Sequence, residues 1–415
     1  MKQDRVRSLA GQFGTPLYAY DLAAVAERAV ALKASLPEGA QVFFSFKANP
    51  LPALARELRR NGCRAEVTST GELKAAQTAG FRGEEMLFGG PGKTEREINA
   101  ALAAGIRWFS SESWIDLARI ADGAKGAGCD VQILLRVNPS DPPVAGLAMT
   151  GVESQFGMDE EAWCAGAKPL PEHVHVRGVH VYFGTQVTSV EALVQNTGRA
   201  IQAAGRIADR LNFRCEIVNA GGGFPWPYGT NHAAPDLTGL REAISEVWAA
   251  SQLSRGGELW FESGRHLVAS SATLVSRVLD VKLSRTKRFV VLDTGIHHLG
   301  GMSGLGRIPR ATLTFCNLTR EESGEATVTD VVGPLCSPLD SLARGVSLGD
   351  IKAGDLLAIP NVGAYSLTAS LIGFLNHPAP LEVAFRDGEV VEVWRWNTGH
   401  TLEPPTIQAQ DISHS

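Results

Sequence analysis

Lys47 stands in the stretch VFFSFKANP, residues 42–50, among four bulky apolar side chains and directly before an Asn-Pro stop. An ammonium drawn partly out of water loses its preference for charge, and a neutral amine can form a Schiff base with an aldehyde. A lysine snorkelling from a strand end to water fits the same stretch, so Lys47 alone leaves two readings open. Farther along, Gly221, Gly222 and Gly223 follow the run CEIVNA. Three residues without side chains let backbone N–H groups close around an anion, although turns also need glycine. Glu262 and Arg265, in ESGR, add a carboxylate and a guanidinium that fit either a bound group or a structural ion pair.

These residues need elements to bring them together. Residues 41–47 have strand character, and Leu51, Leu54, Ala55 and Leu58 then recur at helical spacing until Gly62. RAEVTS and GELKAAQTAG repeat the unit, with Ser69 or Thr70 as N-cap. MLFGG precedes TEREINAALAAG, where Thr94 and Glu97 have capping-box spacing. IRWFSS with WIDLARIADGAKGAG follows, then VQILLRVN, a Pro- and Gly-rich loop over 139–157, and VHVRGVHVYF with a helix from Val190 to Leu211. CEIVNAGGG with LREAISEVWAA, and finally ELWFES, complete eight strands alternating with helices. That alternation predicts an α/β (β/α)8 TIM barrel. After about Ser271 short strand-like runs separated by turns predict a mostly β domain, with which PLYAYD at 16–21 could pair. The expected division is a barrel over 22–268 and a β domain from 1–21 plus 269–415. The last residues, EPPTIQAQDISHS, read as a disordered tail.

Barrel enzymes work at the C-terminal ends of their strands, and phosphate is often held after strands seven and eight. Lys47, the glycine run and ESGR all fall there. An amine for an aldehyde, a phosphate cradle and an acid able to keep a pyridine nitrogen protonated describe a site for pyridoxal 5'-phosphate. The charged ring is an electron sink for the carbanion left when a bond at the substrate's α-carbon breaks.

The chain has 415 residues and a formal charge of −5, with acids and bases mixed throughout, so it offers no basic stripe for nucleic acid and no polybasic segment for a membrane. The N-terminus lacks an apolar leader core, and no apolar run reaches the roughly 20 residues that span a bilayer. A cytoplasmic protein is expected. Its six cysteines are scattered, with no metal spacing, so reduced thiols are the default and Cys336 alone reads as a buried small hydrophobe.

TPLYAYD, FSFKAN, EVTSTGEL, HVYFGTQ, GGGF, ESGR, GPLCSPLD and NVGAYS occur in an order that resembles the fold-type III pyridoxal phosphate decarboxylases, the alanine racemase-like group of ornithine, arginine and diaminopimelate decarboxylases. The likeness covers nearly the whole chain. FGGPGKT, QFGMDE, GPLCSP and FLNHPAP are similar to a subset from secondary-metabolite clusters, acting on glutamyl-acyl-carrier protein in butirosin assembly or in carboxylate siderophore assembly. The resemblance implies that Lys47 forms the Schiff base, that Glu262 meets the pyridine nitrogen, and that Gly221, Gly222, Gly223, Arg265, Thr185 and Tyr365 hold the phosphate. It places Glu66 and Arg136 beside or beneath the ring. It implies an obligate homodimer with shared sites, in which Cys336 reaches into the partner's site and reprotonates the α-carbon.

Two departures bear on chemistry. Tyr182 stands where many members stack a histidine, and it stacks without carrying positive charge near neutral pH. The nearby His180 is assigned to the other face of the strand and is not substituted for it. Ornithine-type members grip a distal ammonium with acids at positions held here by Ser337 and Thr294, which leaves Asp293 and Asp340 as the nearby acids. Arg307 and Arg310, in HHLGGMSGLGRIPRA, are candidates for meeting a substrate carboxylate or a carrier's phosphopantetheine, with a solvated loop as the plainer reading. His297 and His298, without a third ligand, make a poor metal site. The expected activity is α-decarboxylation of an L-amino acid with an acidic, neutral or conjugated distal group, carrier-protein-linked or citrate-linked among them. A racemase on the same barrel and a non-catalytic homologue are the rivals. An acid at the ring nitrogen and an interface cysteine favour decarboxylation, because racemases of this barrel use an arginine there.

Overall fold

The computed structural model describes residues 3–140, 147–148, 153–166, 169–300, 313–320 and 325–397. Eight parallel strands close on themselves: Gln41–Ser45, Arg64–Val67, Met86–Phe88, Trp108–Ser111, Val131–Asn138, Val174–His180, Ile217–Asn219 and Glu258–Ser263. The closure is made twice over, where Trp108–Ser111 pairs with Val131–Asn138 and where Glu258–Ser263 pairs with Gln41–Ser45. The predicted barrel is therefore present, and Glu262 lies across from Phe43 on the strand next to the one that leads to Lys47.

Local sequence sets the helix starts. Ser69 accepts from the Glu72 N–H at 3.2 Å, and Thr94 and Glu97 form the reciprocal capping box their spacing predicts. The barrel interior is layered. Phe43, Leu87, Leu134, Ile217 and Trp260 form a buried plug, with Trp108 packed against it. Side chains two residues apart on a strand share a face. One pleat above the plug, the same faces carry Glu66, Ser110, Arg136, His180, Asn219 and Glu262, all buried. A polar layer thus rests on an apolar floor just below the mouth.

The β domain is built around the 13-residue strand Ala272–Ser284, which pairs antiparallel with Lys287–Leu292, Leu356–Pro360 and Leu17–Asp21. Leu17–Asp21 also runs parallel to Leu381–Arg386, so a strand from the start of the chain is inserted among strands from its end. Leu381–Arg386 turns into Glu389–Arg395 through Asp387 and Gly388, both at positive φ, as a tight Asp-Gly hairpin requires. Several elements have no counterpart in the sequence reading, among them helices Gln3–Phe13 and Glu160–Ala165 and strands Cys316–Asn317 and Ser341–Leu348. Helix Gln3–Phe13 packs Val6, Leu9 and Ala10 against Leu17, Val275 and Phe385, and Ser341–Leu348 pairs with Thr327–Val332. The tail proposed as disordered lies outside the described residues. No helix among them is long and apolar enough to cross a membrane, and no group of three or more metal-ligating side chains occurs among them.

Candidate active site

Lys47 sits in a single 3-10 turn, Phe46–Ala48, as the chain leaves its strand. Phe46 and Ala48 are buried on either side, and the intervening side chain extends into the mouth, open to solvent as a residue while its amine is crowded by the rim. Its Nζ lies 5.4 Å from the centre of the Tyr182 ring. Burial pulls this amine down, but Glu66, followed by Tyr365, Tyr182 and Glu262, outweighs it and holds Lys47 above the ordinary lysine value. The expected neutral amine is thus corrected. In the protein alone Lys47 is an ammonium, because the rim that surrounds it is acidic and phenolic rather than apolar. Lys93 shows the contrast: fully buried, it is paired with Asp116 at 2.6 Å and bonded to the Gly90 carbonyl at 2.7 Å.

The acids around Lys47 are unequal. Glu66 is buried, and its Oε2 has no hydrogen-bond partner. Glu72, absent from the sequence reading, accepts from the Thr68 N–H at 2.7 Å and from its hydroxyl at 3.0 Å. Burial and then Glu66 push the Glu72 carboxyl up to about 7 against those bonds, so it exchanges a proton near neutrality. Glu262 accepts from Asn219 Nδ2 at 2.8 Å. Arg136 donates to Glu112 at 2.7 Å, and Glu112 also accepts from the Gly157 N–H at 2.6 Å.

The remaining predicted residues complete a cradle. A Cβ at Gly221 would fall 2.5 Å from the Tyr182 ring, and one at Gly222 would fall 1.9 Å from the Glu262 carbonyl oxygen. Gly221 and Gly223 also have positive φ, 66° and 101°, so the turn needs glycine for both space and backbone. Arg265 places its guanidinium 4.9 Å from the Tyr365 ring centre and leaves Nε buried without a partner. Tyr365 adopts φ 54° and donates its N–H to the Ala48 carbonyl at 2.7 Å, which ties it to the Lys47 turn. Backbone strain of this kind, held by surrounding contacts, is typical of functional positions. Thr185 bonds the Tyr182 phenol, whose value burial pushes up to about 12. An acid, an amine, a guanidinium with an unpaired Nε and a side-chain-free turn are the donor set that pyridoxal phosphate requires, and the residues fit it.

His180 corrects the sequence reading. Residues 180 and 182 share a face, not opposite ones, and the His180 ring lies inside the barrel, 2 % exposed, with Nε2 3.3 Å from Glu262 Oε1. Ser110, Asn219 and Glu112 were likewise missed. Each lies at or just after the C-terminal end of a barrel strand, and for Ser110 and Asn219 the signal was parity with the apolar plug residue two positions earlier.

On the β domain, Cys336 is exposed rather than buried, and Leu339 beside it is 64 % exposed. Ser337 is half-buried. Asp340 accepts from the Ile296 and Leu335 N–H groups, each at 2.8 Å, and Asp293 accepts from the Ser276 hydroxyl and the Arg277 N–H. Thr294 is fully buried with its hydroxyl 3.1 Å from His298 Nδ1. Arg307 and Arg310 lie outside the described residues.

Residues 22–269 match the family model of the pyridoxal-dependent decarboxylases, pyridoxal binding domain. The chain belongs to the pyridoxal-dependent decarboxylase family. The L-glutamyl-[BtrI acyl-carrier protein] decarboxylase of Niallia circulans is 32% identical to this decarboxylase over 99% of the chain and 98% of its own length. A diaminopimelate decarboxylase of Zymomonas mobilis is 31% identical over 87% of the chain and 85% of its own length. The crystal structure of diaminopimelate decarboxylase from Helicobacter pylori complexed with L-lysine superposes with a TM-score of 0.81 at 25% identity, covering 94% of this chain and 95% of that one. The protein is a pyridoxal phosphate-dependent carboxy-lyase acting on an amino acid.

Proposed function

We propose that this decarboxylase acts on an amino acid whose distal end is acidic, neutral or conjugated, with a carrier-linked acyl group as the favoured case. The observation that carries the proposal is the state of the two acids nearest the distal pocket of the family. Asp293 and Asp340 are both committed to backbone N–H groups, and the adjoining positions are the uncharged Thr294 and Ser337. A distal ammonium would be desolvated there without a counter-charge, which costs more than the roughly 2–7 kcal/mol of an unpaired neutral polar group. The full-length likeness to a decarboxylase of a glutamyl carrier protein supports the same reading.

When bound, pyridoxal phosphate supplies an aldehyde that condenses with amines and a ring that withdraws charge from the α-carbon as carbon dioxide leaves. In our assignment Lys47 anchors the cofactor through Nζ and afterwards carries a proton. Glu262 keeps the ring nitrogen protonated. The Gly221–Gly223 turn, Arg265, Thr185 and Tyr365 bind the phosphate, and Tyr182 covers one ring face. Glu66 and Arg136 would flank the bound ring. Cys336, exposed with Leu339 on the β domain, is covered by a second copy of the chain and delivers a proton into that copy's site.

The test is to offer the purified, cofactor-loaded protein free glutamate, ornithine, lysine, diaminopimelate, citryl-linked amino acids and aminoacyl carrier proteins. Carbon dioxide release and product mass are followed for each. Turnover of linked or acidic substrates is expected. Turnover confined to ornithine, lysine or diaminopimelate sinks the proposal.

A further inference from the structure

Behind Glu262 runs a buried chain of polar side chains that none of the assignments above uses. Ser110 Oγ lies 2.8 Å from His180 Nδ1, and His180 Nε2 lies 3.3 Å from Glu262 Oε1. Asn219 Nδ2 reaches the same Glu262 oxygen at 2.8 Å. All four side chains are buried, and they come from four strands of the barrel. The Asn219 carboxamide is itself fixed, since its Oδ1 accepts from the Gly221 N–H at 2.9 Å. One acceptor, Glu262 Oε1, is therefore approached by two nitrogens, while among the described residues no hydrogen bond to the other oxygen is found.

His180 is neutral here. Burial is the main cause and Arg136 the next, and together they outweigh Glu112 and Glu66 and bring the ring down to about 3. A neutral imidazole has one N–H, so the two tautomers make opposite demands. With the proton on Nδ1, the Nε2 lone pair would face a carboxylate lone pair at 3.3 Å, a repulsive contact in a dry interior. With the proton on Nε2, the Ser110 hydroxyl donates to Nδ1 and the imidazole N–H points at the carboxylate. The 3.3 Å contact is bent, and His180 Nε2 has no aligned acceptor.

We propose that His180 is a positioning residue for Glu262: its Nε2–H, set by Ser110, acts with Asn219 on Oε1 and leaves the second oxygen to the cofactor's ring nitrogen. The inference rests on the assignment of Glu262 to that nitrogen. It also explains why a histidine stands one pleat below Tyr182 rather than an apolar side chain that would extend the plug. The Asn219 hydrogen bond and the His180 N–H directed at one oxygen orient the carboxylate and leave its other oxygen free to face the ring nitrogen.

The experiment compares His180→Gln, His180→Asn, His180→Ala and Ser110→Ala as holoenzymes. It reads the dissociation constant for pyridoxal phosphate, the pH at which the visible absorption of the bound cofactor changes, and kcat and KM separately. Gln reaches the Nε2 position with an N–H and Asn does not. His180→Ala and His180→Asn are expected to lose roughly tenfold in cofactor affinity and in kcat with KM little changed, about 1.4 kcal/mol for a lost electrostatic contact to a charged group. His180→Gln should recover most of both, and Ser110→Ala should fall between. Parent-like values in His180→Asn, or equal losses in the Gln and Asn variants at unchanged thermal stability, overturn the inference. Should the Ala variant not fold, the Gln, Asn and Ser110 comparisons still decide it. Glu262→Gln separates the two layers. If it leaves cofactor binding and absorption unchanged, the Glu262 assignment itself fails; if it alters them while the His180 variants do not, only the role of His180 falls.

Discussion

The Lys47 ammonium stands over the face of the Tyr182 ring, 5.4 Å from its centre, and that ring in turn lies against the glycine turn. One side chain thus separates the amine from the cradle. A planar group joining Lys47 to the turn would pass along Tyr182, which is the place for a stacking residue. Tyr182 offers that face without a positive charge, so in the proposed assignment Glu262 is the group that meets the ring nitrogen.

Lys47→Ala is expected to purify without the visible absorption of a covalently held cofactor and to lose activity by about 10³-fold or more. Its fold should be kept, because the flanking Phe46 and Ala48 carry the packing. Absorption spectra and thermal melts check both halves.

Gly222→Ala puts a methyl 1.9 Å from the Glu262 carbonyl oxygen, a backbone atom that cannot swing aside. We expect a cost of about 1–3 kcal/mol in stability, in the range for overpacking, and a larger loss in cofactor affinity as the turn and the Glu262 strand separate. Denaturant unfolding of the cofactor-free protein and cofactor titration measure the two.

Cys336→Ala should bind cofactor normally and turn over slowly. Mixing it with Lys47→Ala tests whether sites are shared. If each site takes Lys47 from one subunit and Cys336 from the other, half of the mixed dimers' sites are complete, so random re-pairing of equal amounts restores roughly a quarter of the parent activity. No recovery after confirmed subunit exchange would refute the shared arrangement.

Glu382 accepts from the Tyr20 hydroxyl at 2.9 Å inside the β domain. Burial raises its carboxyl from 4.5 to about 7, so the folded chain holds a proton there that the unfolded chain has released. Stability from this group is full below about pH 4.5 and is lost as pH rises to about 7, to the extent of roughly 3 kcal/mol at most. Glu382→Gln, which resembles the protonated acid, should raise the melting temperature near pH 8 and leave it little changed near pH 5.

Much of this was readable in the residues. The barrel followed from helical spacing such as Leu51, Leu54, Ala55 and Leu58 between apolar strands, and the caps at Ser69 and Thr94 lie where their side-chain oxygens predict. Ser341–Leu348 escaped notice because SLARGVSL carries Arg344 and Gly345 mid-run and earns its place by pairing with Thr327–Val332, a tertiary contact. His180 was misplaced by a parity error, not for want of signal. Lys47 was placed rightly on the rim but assigned the wrong charge, since the acids that set it come from separate strands. Asp293 and Asp340 looked free in sequence because their partners are backbone N–H groups of other segments.

The insertion of Leu17–Asp21 between Ala272–Ser284 and Leu381–Arg386 has a consequence for how the molecule comes into being. Tyr20 and Glu382 meet across a separation of 362 residues, and the Tyr20 hydroxyl also accepts from Asn49, two positions from Lys47. Leu17–Asp21 therefore completes its pairing only with residues 381–386, and such distant closure is slow. Until that late zipper shuts, the turn bearing Lys47 lacks one of its supports, so competence for vitamin B6 capture should arrive last in assembly.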